Sequence, residues 1–98
     1  MEIETISRIP ETIFRRGARY NLLKRGVKTL MYERVSNGIT ISIEVFQIKI
    51  RKSVEVKGQY IQASERFPHD EAFGNWAKCL KTLKMANKRF DEYENRTQ

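Results

Sequence analysis

The sequence predicts an α+β domain: an antiparallel β-meander of four to five strands packed by a C-terminal α-helix. Three observations predict it. Apolar residues alternate from Tyr20 to Tyr32, as in half-buried strands. Ser36-Asn37-Gly38 follows, and Asn-Gly accepts the positive φ angles of a tight hairpin turn. From Thr82 the spacing becomes helical, with Leu83, Ala86, Phe90 and Tyr93 at three- and four-residue steps.

Each element follows in order. Residues 1–12 mix Glu2 and Glu4 with Ile3, Ile6 and Ile9 before Pro10, an arm that is mobile or lies along the edge of the domain. Tyr20 and Leu22 mark one strand, Arg25-Gly26 a turn, and Leu30 and Tyr32 the next strand. After Asn37-Gly38, Ile39, Ile41, Ile43 and Val45 share a face before Phe46, Ile48 and Ile50 continue on the other. That change of phase requires either a bulge or a central strand buried on both faces. Residues 51–58 read as a charged connection, and Gln59 to Arg66 as a fourth strand stopped by Pro68. Asp70 to Gly74 fits one helical turn closed by glycine. Residues 75–81 suit a fifth strand better than a helical extension, with Thr82 as the helix N-cap.

Composition bounds the rest. Ninety-eight residues, 40% of them hydrophobic, supply one core, so residues 13–98 form a single basic domain. The single cysteine, Cys79, excludes an internal disulfide and points to the reducing cytoplasm. No apolar run approaches the roughly 20 residues of a membrane helix, and no signal peptide is visible.

The net charge of +7 is unevenly placed. Arg15, Arg16, Arg19, Lys24, Arg25, Lys28 and Arg34 fall within residues 15–34 against the single acid Glu33. A positive surface on a folded element attracts polyanions, of which nucleic acid is the commonest in a cell. Lys49, Arg51, Lys52 and Lys57 form a second group that joins the first if the hairpins are neighbours. The competing explanation is solvated charge that protects edge strands from pairing with other chains. Tyr60 and Trp76 are the aromatics that could stack on bases, although aromatics in small domains mostly build the core.

Catalytic and metal patterns are weak. His69-Asp70-Glu71 has no second histidine or cysteine pair to complete a metal site, and adjacent side chains rarely converge on one ion. Cys79 and His69 have no third group to orient them, and Cys79 reads as a small buried filler. The five glycines are isolated, without a phosphate-cradling loop. The expectation is a protein that is not an enzyme and carries no cofactor or metal.

The stretch Phe67-Pro-His-Asp-Glu-Ala-Phe-Gly-Asn-Trp-Ala-Lys-Cys-Leu-Lys-Thr-Leu-Lys-Met-Ala-Asn-Lys-Arg-Phe90 resembles small proteins of bacteriophages and bacterial mobile elements, with a Phe-Gly-x-Trp-Ala turn, a Thr-Leu helix start and an Ala-x-x-x-Phe face. Phe14 to Tyr32 and Glu44 to Lys52 share that likeness. The resemblance implies a mobile-element origin, a meander closed by a helix and an accessory role; it carries no activity.

The leading expectation is therefore a non-enzymatic nucleic-acid-binding protein, with Arg15, Arg16, Arg19, Lys24, Arg25 and Lys28 on phosphates and Lys49, Arg51 and Lys52 extending the track. The rivals are a module that binds an acidic host protein, and a structural or self-associating component. Electrostatics alone does not separate them.

Overall fold

The computed structural model describes residues 6–68, 73 and 76–96. In chain order the strands are β1 (Thr12–Arg15), β2 (Ala18–Arg25), β3 (Thr29–Ser36), β4 (Ile39–Gln47), β5 (Ile50–Arg51), β6 (Val54–Val56), β7 (Gln59–Ile61), β8 (Ser64–Glu65) and β9 (Ala77–Leu80), followed by helix α1 (Leu83–Glu94). The main sheet is antiparallel, with order β1-β2-β3-β4-β9. The α+β architecture expected from the sequence is thus present.

Tight turns set the registers. Asn37 and Gly38 have φ of 53° and 75°, and Arg16 and Gly17 repeat the pattern at 51° and 76°. Positive φ at both central residues matches the right-handed twist of the flanking strands. The first turn was legible as Asn-Gly; the second creates a strand, β1, that alternation alone did not reveal.

The sheet is covered on both sides, which resolves the phase change in β4. Leu30 to Tyr32 and Ser42 to Gln47 are buried without interruption, so β3 and β4 are central strands. On one face, Met31, Ile43 and Val45 pack against Ala86, Phe90 and Tyr93 of α1. Thr82 caps that helix by accepting from the Met85 N–H at 3.2 Å. Leu83, expected on the buried stripe, is exposed because the helix has only just begun there.

The opposite face, here called the loop face, carries Tyr20, Leu30, Tyr32, Phe46 and Ala77. Phe67 sits over it, edge-on to Tyr20, Tyr32 and Phe46 with ring centroids 5.1, 5.9 and 5.4 Å away. Each such pair adds about 0.5–1.5 kcal/mol to the burial itself. Residues Ile6 to Pro10 run along this layer. The Ser7 N–H donates to the Ala63 carbonyl, and the Tyr32 hydroxyl donates to the Pro10 carbonyl.

The fourth expected strand takes another course. Residues 59–66 divide into β7 and β8, which pair with β6 and β5 in two short ribbons outside the main sheet. The cause is local: Lys57-Gly58 makes a third tight turn, and β6 and β7 have no buried face to lay on a core. The edge of β4 is instead filled by β9, where Ala77 fits beneath Phe46. The strand favoured for residues 75–81 is therefore seen at Ala77–Leu80, while the turn proposed at Asp70 to Gly74 lies outside the described residues apart from Phe73. No helix among the described residues is long and apolar enough to cross a membrane.

Candidate nucleic-acid interface

The basic run of residues 15–34 is divided between two ends of the sheet. Arg25 lies six residues beyond Arg19 along β2, about 20 Å at ~3.3 Å per residue. The end holding the β1–β2 and β3–β4 turns carries Arg15, Arg16, Arg19 and Arg34; the far end carries Lys24, Arg25 and Lys28.

The far-end cations are already engaged. Arg25 makes two hydrogen bonds to the Glu65 carboxylate, at 2.8 and 2.9 Å, and most of both side chains is buried. Burial works to raise the Glu65 pKa, but Arg25 and the Ile9 N–H outweigh it and hold the carboxyl below its ordinary range. The Lys24 ammonium lies 4.3 Å from the Phe90 ring centroid, a cation–π contact on the helix face. Lys28 donates through Nζ to the Arg96 carbonyl, while the Val27 and Lys28 amides donate to the Glu94 carboxylate. That carboxylate ties the end of α1 to the β2–β3 connection, and a Cβ on Gly26 would occupy its space.

The second basic group meets the first at the far end of the sheet. Ile48 N–H donates to the Lys28 carbonyl at 2.7 Å, so Lys49 lies beside Lys28 at the far end. Lys28, Lys49 and Arg96 share a groove of about 660 Å3 with Val27, Ile48 and Ile50. Arg51 and Lys52 are exposed on the ribbon. Among the described residues these cations thus gather at two ends, because β2 carries Arg19 and Arg25 to opposite ends of the sheet.

The turn end is arranged differently. Arg19 is exposed and lies directly across from Phe14, whose side chain is 76% exposed on the helix face. Helix α1 packs on β3, β4 and β9 and leaves this corner open. Phe14, Arg16 and Arg19 line a shallow groove of about 480 Å3 with Val35, Ser36 and Asn37. Phe14 is thus the exposed aromatic among arginines. The aromatics proposed from sequence lie elsewhere: Trp76 is half-buried beside Phe46, and Tyr60 is exposed on β7. Reading Arg16-Gly17 as a hairpin turn is the signal that would have placed Phe14 opposite Arg19.

Behind this corner, on the loop face, each main-sheet strand contributes one side chain to a cleft of about 220 Å3: Arg15, Tyr20, Arg34, Glu44 and Cys79. Phe67, Pro68 and Phe73 wall it. The Arg15 guanidinium stands 5.0 Å from the Phe67 ring centroid. Glu44 is only 5% exposed, and among the described residues its Oε2 has no hydrogen-bond partner; neither does Nε of Arg34. Burial pushes the Glu44 carboxyl up to about 6, against the opposing pull of Arg34 and Arg15. Burial, then the Glu44 charge, raises the Tyr20 phenol as well. Cys79, expected as a buried filler, is exposed because β9 is an edge strand. His69, Asp70 and Glu71 lie outside the described residues. Among the described residues no three His, Cys, Asp or Glu side chains gather as metal ligands.

No protein-family model, curated protein or solved structure matches this chain.

Proposed function

We propose that this protein is a non-enzymatic nucleic-acid-binding accessory protein that holds single strands at the turn end of its sheet. The observation that carries this reading is Phe14, exposed and in register with Arg19 beside the Arg16-Gly17 turn. An aromatic face stacks on any base, and guanidinium groups pair with phosphate at fixed geometry, so together they suit a flexible strand with splayed bases. Arg16 and Arg19 are assigned to phosphates and Phe14 to a base. Lys24 and Arg25 serve the fold, while Lys28, Lys49, Arg51 and Lys52 add to the attracting field. A cytoplasmic setting and an accessory role in a phage or mobile element fit the same reading.

Fluorescence-anisotropy titration with single-stranded DNA, duplex DNA and RNA at several salt concentrations tests it. Tighter binding of single strands, a steep salt slope and a loss on Phe14→Ala are expected. Equal binding of duplex and single strand, unaffected by Phe14→Ala, would refute the stacking assignment.

The far-end groove favours a second reading, in which Val27, Ile48 and Ile50 beside Lys28, Lys49 and Arg96 receive an acidic, partly apolar segment of a host protein. A stable complex recovered from nuclease-treated lysate and lost on Val27→Asp would support it.

A further inference from the structure

The loop-face cleft contains a feature that phosphate contacts at the turn end do not use. Glu44 is nearly inaccessible, lines the cleft and finds no donor for Oε2 among the described residues. Arg34, whose Nε lacks an acceptor, lies diagonally across from it: Arg34 opposes Ser42, two residues before Glu44 on the same face. Diagonal neighbours in a sheet are about 7–8 Å apart, a span long side chains cover from both ends of one ligand edge. Both atoms are closed to solvent, so a ligand meets them only as the Glu44 and Arg34 side chains turn toward the cleft; one that supplies the complementary groups then recovers the free energy that an unmet buried acceptor and donor cost.

We propose that this cleft receives one unstacked guanine base, whose N1–H and N2 amino group donate to Glu44 while O6 and N7 accept from Arg34 and Arg15. The inference rests on the single-strand reading and adds base preference to it. Guanine fits by chemistry. It presents two adjacent donors for a carboxylate and two acceptors that match arginine. Adenine and cytosine each place an acceptor beside a single amino group, and thymine has one donor between two carbonyls, so each leaves part of the site unmet. A bare phosphate would face the Glu44 carboxylate. The cleft volume of about 220 Å3 equals roughly seven waters at about 30 Å3 each, the scale of one base rather than a base pair. Phe67, Pro68 and Phe73 supply an apolar wall for the ring.

Among the described residues, the groups facing Glu44 are Arg34 from β3, Arg15 from β1, Tyr20 from β2 and Cys79 from β9, with Tyr32 directly opposite on β3 and Arg16 also lining the cleft. Ionised Glu44 accepts both guanine donors; protonated Glu44 does not. Because its carboxyl titrates at about 6, the preference for guanine should fade as pH falls from 7.5 to 5.5.

The test uses labelled thymidine 12-mers, unmodified or with one central guanine, adenine or cytosine, titrated by anisotropy at pH 7.5. The expected result is about a tenfold gain for guanine alone, in line with one good bidentate contact. The adenine strand controls for stronger purine stacking on Phe14. Glu44→Gln should abolish the gain, with thymidine affinity retained and folding verified by thermal melting. Equal affinity for all four strands would overturn the guanine pocket and leave single-strand binding intact. If no strand binds, titration of guanosine monophosphate followed by amide chemical shifts decides: movement at Tyr20, Glu44 and Cys79 retains the pocket, and none overturns it.

Discussion

The two ends of the main sheet are built from the same short basic run and put it to opposite uses. At the far end, Arg25 is clamped by Glu65, Lys24 rests on Phe90 and Lys28 reaches the carbonyl of Arg96. At the turn end, Arg19 is exposed across from an exposed Phe14, and Glu44, the carboxylate that shares a cleft with Arg15 and Arg34, is buried with a raised pKa. Charge density along a sequence therefore does not measure charge offered to a ligand. What decides is whether a carboxylate or a ring has been folded against each cation, as the Phe67 ring is against Arg15 even at the turn end.

Breaking the clamp should give the largest stability change. Glu65→Ala leaves the Arg25 guanidinium and the Ile9 N–H unpaired in a mostly buried site, at a cost of about 3 kcal/mol in denaturant unfolding. The same substitution should leave nucleic-acid affinity almost unchanged. Phe14→Ala should do the reverse: within about 0.5 kcal/mol of the parent in stability, since the ring is exposed, but about 1–3 kcal/mol weaker in single-strand binding.

Glu65 and Glu44 also oppose each other in pH dependence. Glu65 is held below its ordinary range, so its contribution is complete above the unfolded carboxyl value and disappears as pH falls through the lowered one. Glu44 is raised to about 6, so its contribution is complete below the unfolded value and is lost as pH rises through about 6. Glu44→Gln should therefore stabilise the protein at pH 8 by as much as about 1–2 kcal/mol, with the gap closing below pH 4.5. Urea unfolding at both pH values checks the sign. The smallest effect belongs to Glu94→Gln, which weakens the link between α1 and the Val27 and Lys28 amides at an open surface. Under about 1 kcal/mol is expected in thermal melting, with no change in binding.

Much of the scaffold was legible because local chemistry and the tertiary fold agree. Asn37-Gly38 fixed the β3–β4 turn, Thr82 capped α1, and Ala86, Phe90 and Tyr93 formed its buried stripe. Arg16-Gly17 and Lys57-Gly58 hid equivalent turns behind cationic first residues, which concealed β1 and sent residues 59–66 to the wrong sheet. Part of the site was visible: Arg15, Arg16 and Arg19 lie together at the open corner. Phe14 was not, since its importance depends on its register with Arg19. Nor was Glu44, an alternating strand residue whose isolation becomes apparent only when β1 to β4 and β9 assemble above it. Arg25 could not be separated from its neighbours without Glu65, forty residues away.

A pair of charge reversals that alter net charge equally, Arg19→Glu at the turn end and Lys49→Glu at the far end, separates the two ends of the sheet. Both are titrated with a thymidine 12-mer across a salt series. Arg19→Glu should lose at least tenfold and show a shallower salt slope, against a two- to threefold loss for Lys49→Glu (on the order of 1.4 against 0.5 kcal/mol). Equal losses would contradict the turn-end assignment, showing that the strand responds to the total charge of the domain rather than to the corner where Phe14 and Arg19 meet.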